Sequence, residues 1–134
     1  MTASFNVKQL ASSKPTESEL AILNILWLKE EATVREVHEI LSEQKESGYT
    51  TTLKLLQIMF DKGLVSRNDS SKVHIYKANI SKESTQHQFL DRMIDTLFNG
   101  SSSQLVLQAL GNKAHSKEEL EVIEKLITDL KSKA

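Results

Sequence analysis

The sequence contains no cysteine, which excludes disulfides and every metal site built on thiolates. A chain without a disulfide framework suits a reducing compartment, and we expect it to lie in the cytoplasm. No apolar run approaches the roughly 18 residues needed to span a bilayer. Residues 1–14 also lack the basic-then-apolar order of a signal peptide.

Signatures of catalysis are missing as well. The chain has no Gly-rich phosphate loop, and no serine, histidine and acid occur in a recognisable nucleophile motif. His87 and Asp91 lie four residues apart, a helical spacing that suits two metal ligands, but no third ligand accompanies them. We therefore expect a protein that is not an enzyme and that holds no metal or other cofactor.

Two capping boxes predict where the first two helices begin. Thr16–Glu19 follows Pro15, and Thr33–Glu36 precedes an apolar stripe, so each threonine and glutamate can satisfy the other's backbone amide. A third helix is expected from Thr50 or Thr51 to Lys62, with its core-facing side formed by Leu56, Met59 and Phe60. Gly63 stops it in the left-handed conformation.

A β-hairpin is predicted directly after the third helix. Leu64–Arg67 and Val73–Ala78 have the composition of strands, and the polar stretch Asn68–Lys72 between them favours a turn. Three helices followed by a hairpin is the order of a winged helix-turn-helix. The expected fold class is mainly α with a small β-hairpin wing, in a DNA-binding domain of residues 15–80 after a flexible leader of residues 1–14.

Residues 81–134 are predicted to form a separate helical dimerisation domain. The pattern indicates a helix ending at Asn99–Gly100, a short apolar helix after the polar break 101–104, and a last helix opened by the capping box Ser116–Glu119. About 50 residues cannot easily bury so much apolar surface alone, so we expect a symmetric homodimer. The residues expected at its interface are Phe89, Leu90, Met93, Leu97, Leu105, Leu120, Ile123 and Ile127.

Charge is distributed unevenly although the chain as a whole carries only −1. Residues 15–47 hold three basic residues against eight glutamates, a balance of −5, whereas residues 48–79 hold five basic residues against two aspartates, a balance of +3. A local positive patch is what phosphate binding needs. Arg67 and Lys72 in the wing are expected to contact phosphates, which position a protein on DNA without specifying sequence.

The start of the third helix is the predicted reading site, because helix-turn-helix proteins dock this end into the major groove. Thr50 and Thr51 could cap the helix or contact phosphate and thymine, and the two roles are compatible. Thr52 is expected to face inward, and Lys54 to reach base edges or a flanking phosphate. Gln57 is evenly balanced between reading an adenine and lying beyond the groove.

Several stretches, taken in order, resemble the penicillinase-repressor (BlaI/MecI/CopY) family. The resemblance is good from about Thr16 to Ile80 and looser from there to the end of the chain. The strongest match is Tyr49-Thr50-Thr51-Thr52-Leu53-Lys54-Leu55-Leu56-Gln57. The other matching stretches are Pro15–Leu20, Ile25–Trp27, Thr33–Val37, Asp61–Val65 and Tyr76.

This resemblance implies a cytoplasmic homodimer that binds an inverted-repeat operator, often with a TACA/TGTA core, and represses by occluding a promoter. It also implies release by a membrane-bound sensor protease, or by copper in one branch. Carried over by position, it places Thr50, Thr51 and Lys54 at the DNA, with Arg67 and Lys72 supporting from the wing.

Three features depart from the family pattern. Many members carry an arginine at the position of Ile58, and the copper branch uses C-terminal cysteines that this chain lacks. The protease-cleaved members carry Asn-Phe where this chain has Ser101-Ser102.

Two alternative functions stay open at this point. The winged helix could be a protein-interaction module that never binds DNA, or the chain could be a ligand-sensing regulator of another winged-helix family. Strongly salt-dependent binding to a palindromic duplex would separate a DNA reader from an interaction module.

Overall fold

The computed structural model describes residues 5–7 and 14–134, which divide at His87 and Gln88 into an N-terminal and a C-terminal unit. The division falls inside a helix, after the predicted boundary at Ser81. The helices are α1 (Glu17–Lys29), α2 (Val34–Gln44), α3 (Tyr49–Lys62), α4 (Lys82–Leu97), α5 (Ser102–Gly111) and α6 (Lys117–Lys133), and the strands are β1 (Ala32–Thr33), β2 (Val65–Asn68) and β3 (Ile75–Ala78).

Both predicted capping boxes are confirmed at the starts of α1 and α2. The Thr16 amide donates to Glu19 Oε1 at 2.9 Å, and the Glu19 amide donates to Thr16 Oγ1 at 3.2 Å. Thr33 and Glu36 make the same two bonds at 2.9 and 3.2 Å. The bond from the Thr33 amide holds the pKa of the Glu36 carboxyl below its ordinary value, because it favours the charged form.

The three strands form one antiparallel sheet in the order β1-β3-β2. β2 and β3 are the predicted hairpin, each beginning later than expected. Leu64 does not join β2, because its amide returns to the Met59 carbonyl at 2.9 Å and closes the end of α3 beside the left-handed Gly63. Val73 is 60% exposed in the turn and precedes β3. β1 was not predicted.

The hydrophobic core of the N-terminal unit lies between α1, α2, α3 and the hairpin. The inward-facing residues expected on α3 are all buried, including Thr52, Leu56 and Met59 at 0% exposure. Trp27 packs against this core, and its Nε1 donates to the Ile80 carbonyl at 2.9 Å. Three helices and a hairpin wing around one core make this unit a winged helix-turn-helix, as predicted.

One ion pair joins the first turn of α1 to the last turn of α3. Lys62 Nζ donates to both carboxylate oxygens of Glu19, at 3.1 and 2.9 Å, and the Glu19 side chain is only 2% exposed. The same carboxylate also accepts the Thr16 amide. Glu19 therefore caps α1, as predicted, and also anchors α3, which the sequence did not predict.

The leader predicted over residues 1–14 lies mostly outside the described residues. Within it, Asn6 pairs antiparallel with Arg67 at the edge of β2, through backbone bonds of 2.8 and 2.9 Å. Asn6 Nδ2 also donates to Asp69 Oδ1 at 3.0 Å. Asn6 thus forms a single isolated bridge at the outer edge of β2.

The C-terminal unit contains the rest of α4 with α5 and α6, and none of its residues is buried. The polar break 101–104 was wrong as a boundary, because Ser101 accepts the Gln104 amide at 3.2 Å and the helix begins at Ser102. Ser116 is the N-cap of α6, as predicted. The Glu119 side chain, which was expected to complete a capping box with Ser116, instead contacts His115 Nδ1 at 3.1 Å.

Across residues 5–7 and 14–134, no helix has the length and apolar character that crossing a membrane requires.

We expect Lys62→Met to lower the free energy of unfolding of the N-terminal unit by about 1–3 kcal/mol, because Glu19 would keep a buried charge without its cation. Urea unfolding followed by the fluorescence of Trp27, the single tryptophan, measures this. Lys29→Met is the matched control, since its pair with Glu36 is long (3.7 Å) and exposed and should contribute less than about 1 kcal/mol. Equal losses in the two variants would contradict the anchoring role of Glu19.

Candidate nucleic-acid interface

The N-terminus of α3 is exposed, and no side chain in the described part of the chain caps it. Gly48 is the N-cap, in extended conformation, and its carbonyl accepts the amides of Thr51 at 3.1 Å and Thr52 at 3.3 Å. The helix therefore begins at Tyr49, earlier than expected, and neither Thr50 nor Thr51 is the cap. A Cβ added at Gly48 would meet no atom of the described residues within 4 Å, so a side chain can be accommodated at this position.

The four candidate residues on α3 lie together on its exposed side. Thr50, Thr51, Lys54 and Gln57 are all exposed, and their spacing of three and four residues places them on neighbouring turns of one face. The opposite side is the buried one, with Thr52 in the core as predicted. The structure thus presents two hydroxyls, one ammonium and one amide around an unblocked helix end, a set of groups that suits phosphates and base edges.

The first turn of α3 is also held from behind by a side chain of α2. His38 Nδ1 lies 3.2 Å from Thr52 Oγ1, and its Nε2 lies 3.3 Å from Ser42 Oγ. The ring meets that of Tyr49 edge to face, with centroids 5.5 Å apart. This contact was not predicted, because His38 and Thr52 lie 14 residues apart on different helices and meet only through the packing of α2 against α3.

Arg67 is engaged within the N-terminal unit. It pairs across the sheet with Tyr76, which is buried, so strand alternation points both side chains to the core side. The guanidinium lies 4.0 Å from the centre of the Phe60 ring and pairs with Asp69 at 3.3 Å. Its side chain is 21% exposed. The structure therefore joins Arg67 to the back of α3 rather than to the four exposed residues on its face.

Lys72 is exposed in the turn between β2 and β3. That turn is shaped by Asn68, whose side-chain oxygen accepts the Ser70 amide at 3.0 Å and the Ser70 hydroxyl at 2.7 Å, as asparagine commonly does in turns. Lys77, on the other face of β3, lies over the ring of Phe5 at 4.9 Å. Lys72 is thus the candidate wing cation that the structure places at the tip.

His87 and Asp91 both lie on α4, with the helical spacing that made them candidate metal ligands. Within the described parts of the chain, no three histidine, aspartate or glutamate side chains come close enough together to hold a metal ion.

Comparison with known proteins identifies relatives named as repressors or regulators. The sequence profile of a family described as penicillinase repressor matches residues 15–129. The penicillinase repressor of Staphylococcus aureus is 22% identical over 116 residues, which is 87% of this chain and 92% of that protein. The methicillin resistance regulatory protein MecI of Staphylococcus aureus (strain N315) is 21% identical over 112 residues, 84% of this chain and 91% of that protein.

Two further matches are confined to part of the chain. The transcriptional regulator BlaI of Mycobacterium tuberculosis (strain CDC 1551 / Oshkosh) is 39% identical over 59 residues, 43% of each protein. A solution structure of the DNA binding domain of the repressor BlaI covers 57% of this chain and 90% of its own, with 21% identity and a TM-score of 0.49. The relatives bear the names of repressors and regulators, in agreement with the prediction of a protein that is not an enzyme.

Proposed function

This chain belongs to the penicillinase repressor family, and we propose that it represses transcription as a homodimer that covers an inverted-repeat operator. The observation that carries the proposal is the uncapped, exposed start of α3 with Thr50, Thr51 and Lys54 around it. The proposal places the protein in the cytoplasm, where its operator DNA lies.

The start of α3 has the electrostatics of a phosphate site. Backbone amides of the first turn point out of the helix, and the helix dipole adds partial positive charge there. A capping serine or aspartate would occupy these donors, but Gly48 has no side chain to do so. DNA phosphate oxygens can then accept the amides, as anions do at the N-termini of helices.

The exposed side chains of α3 supply the sequence reading in this proposal. Lys54 lies one turn into the helix, where it can reach guanine O6 and N7 or a flanking phosphate. The methyl groups of Thr50 and Thr51 can contact thymine, and Gln57 can pair with adenine. Lys72 contacts phosphate from the wing, whereas Arg67 supports α3 through Phe60 and stays a prediction as a DNA contact.

The uncovered apolar side chains of the C-terminal unit support the proposal that it dimerises. A unit with no buried residue has no core of its own, and burying its apolar surface against a second copy supplies one. Leu97 and Val122 are 72% and 70% exposed. The proposed interface residues are exposed (Leu90, Met93, Leu97, Leu120, Ile127) or half-buried (Phe89, Leu105, Ile123) in the single chain.

A symmetric dimer presents two α3 helices to the two halves of a palindrome. The half-sites should then lie about 10 bp apart, or a multiple of that spacing, from centre to centre. Joining two weak half-site contacts raises the overall affinity through effective concentration. A repressor released by breaking the dimer would lose this gain.

The connection between α4 and α5 is the place where such release would act. Asn99 and Gly100 are exposed and both have positive φ, 49° and 81°. Cleavage between Asn99 and Gln104 would detach α5 and α6 from the proposed interface. The membrane-bound sensor protease implied by the family resemblance stays a prediction, and an uncleaved repressor in induced cells would contradict it.

We expect Lys54→Ala to weaken binding to a duplex that the unaltered chain enriches from a randomised pool. If Lys54 contacts one phosphate, the slope of log affinity against log salt should flatten by about 1. Lys29→Ala, which removes the same charge from the end of α1, should leave affinity and slope unchanged. Fluorescence anisotropy at several salt concentrations measures both. Equal effects of the two variants, or salt-insensitive binding, would favour the protein-interaction module.

We expect Gly48→Asp to raise stability by a few tenths of a kcal/mol by capping α3, while lowering DNA affinity by about fivefold. The affinity falls because the carboxylate occupies the amides and repels phosphate. Gly48→Ser is the matched control, since its hydroxyl occupies the same amides without adding a charge. It should lower affinity less than Gly48→Asp, and the difference between the two variants measures the repulsion of phosphate. Thermal melts and anisotropy separate the two effects. Unchanged affinity of Gly48→Asp would show that phosphate does not sit at this helix end.

We expect Ile127→Glu to convert a dimer into a monomer at micromolar concentration in sedimentation equilibrium. A charge in an apolar interface cannot be desolvated without a partner. Thr128→Glu places the same group on the same helix beside Glu124, outside the apolar stripe, and should leave the dimer intact. A monomeric unaltered chain would refute the dimer, and unaltered dimerisation of Ile127→Glu would move the interface elsewhere.

A further inference from the structure

We propose that His38 is a positioning residue that fixes the rotation of α3 about its own axis, and so determines which bases Thr50, Thr51 and Lys54 can reach. The inference rests on the proposed function of α3 as the reading helix. His38 itself lies on α2 and is partly buried behind α3.

Thr52 needs His38 because its hydroxyl lies in the core. The residue is 0% exposed, and a buried hydroxyl without a partner is costly. His38 Nδ1, at 3.2 Å, is the side-chain partner that the structure gives it. Thr52, which follows the exposed Thr50 and Thr51, is thus held by a hydrogen bond with His38 of α2.

The imidazole is itself held in place on three sides. Its Nε2 contacts Ser42 Oγ at 3.3 Å, one turn further along α2. Its ring meets Tyr49 edge to face at 78°. Serine and threonine hydroxyls can each donate or accept, so either neutral tautomer of His38 satisfies both bonds. A ring fixed in this way can orient what it touches.

The two residues of α3 that His38 contacts, Tyr49 and Thr52, lie three apart on one side of the first turn. Apolar contacts further along α3, such as those of Leu56, are not directional, but a hydrogen bond is. A rotation of about 20° would move a side-chain tip about 5 Å from the helix axis by about 2 Å. That displacement exceeds what a hydrogen bond to a base edge tolerates.

Three substitutions at His38 separate its contacts. Asparagine places an amide near the position of Nδ1 and keeps the bond to Thr52, whereas glutamine places one near Nε2 and keeps the bond to Ser42. Phenylalanine keeps only the ring against Tyr49. We expect His38→Phe and His38→Gln to lower affinity for the enriched duplex about tenfold, and His38→Asn to stay within about twofold of the unaltered chain.

Binding to a scrambled duplex of the same length provides the readout that a merely structural role would not change. Non-specific affinity depends on phosphate contacts, so it should be equal in all four proteins while the specificity ratio falls in two of them. Urea unfolding followed by Trp27 fluorescence checks that the N-terminal unit is folded in each. A parallel loss of specific and non-specific binding would overturn the positioning role.

Thr52→Val removes the hydroxyl that bonds to His38 while keeping a side chain of nearly the same shape. It should lower specificity like His38→Phe, and the double variant should lose little more, because both changes remove one bond. Additive losses, or full specificity in His38→Phe, would refute the inference while leaving the DNA-binding proposal intact. If the unaltered chain enriches no duplex, the proposed function fails and the inference falls with it.

Discussion

The ion pair between Glu19 and Lys62 is the contact on which the arrangement of the N-terminal unit depends. Glu19 completes the capping box of α1 and, with the same carboxylate, receives both bonds from the last turn of α3. A buried carboxylate is tolerated only with such partners, because desolvating a charge is expensive. The position of the C-terminal end of α3 is therefore set by Glu19, a charged residue in the first turn of α1.

With its C-terminal end held by Glu19, α3 has a fixed end and an open end. His38 contacts the open end from behind, and no side chain among residues 5–7 and 14–134 caps it from the front. An uncapped N-terminus costs stability, since amides that a side chain could satisfy face water instead. Proteins commonly keep such a cost where a ligand supplies the missing partner. In this repressor family member, the operator would be that partner.

Interactions between residues close in sequence could be predicted, and those between distant residues could not. The capping boxes at Thr16 and Thr33 involve atoms three residues apart, so composition and spacing reveal them. Glu19 and Lys62 are 43 residues apart and His38 and Thr52 are 14 apart, so their contacts depend on how the helices pack. The side of the sheet to which Arg67 points likewise depends on strand register. In the observed register, its guanidinium lies over the Phe60 ring.

The short β1 strand was missed for a related reason. Two residues show no alternation of apolar and polar side chains, and only their pairing with Ile75 and Tyr76 of β3 makes them a strand. The exposure of the four candidate residues on α3 could be predicted because a helix keeps its spacing regardless of packing, whereas their contact with DNA stays a prediction. The apolar stripes of the C-terminal helices could also be predicted, because the spacing of apolar residues along a helix does not depend on a partner.

The pairing of Asn6 with Arg67 has a consequence for how copies of this protein behave when they are crowded along DNA. A small sheet with an open edge can add a strand from a neighbouring molecule. Asn6 occupies the backbone groups of Arg67 at the β2 edge, and the opposite edge belongs to β1, which offers only two residues for pairing. Wing-to-wing polymerisation is thereby disfavoured, which leaves the apolar stripes of the C-terminal helices as the proposed surface for self-recognition.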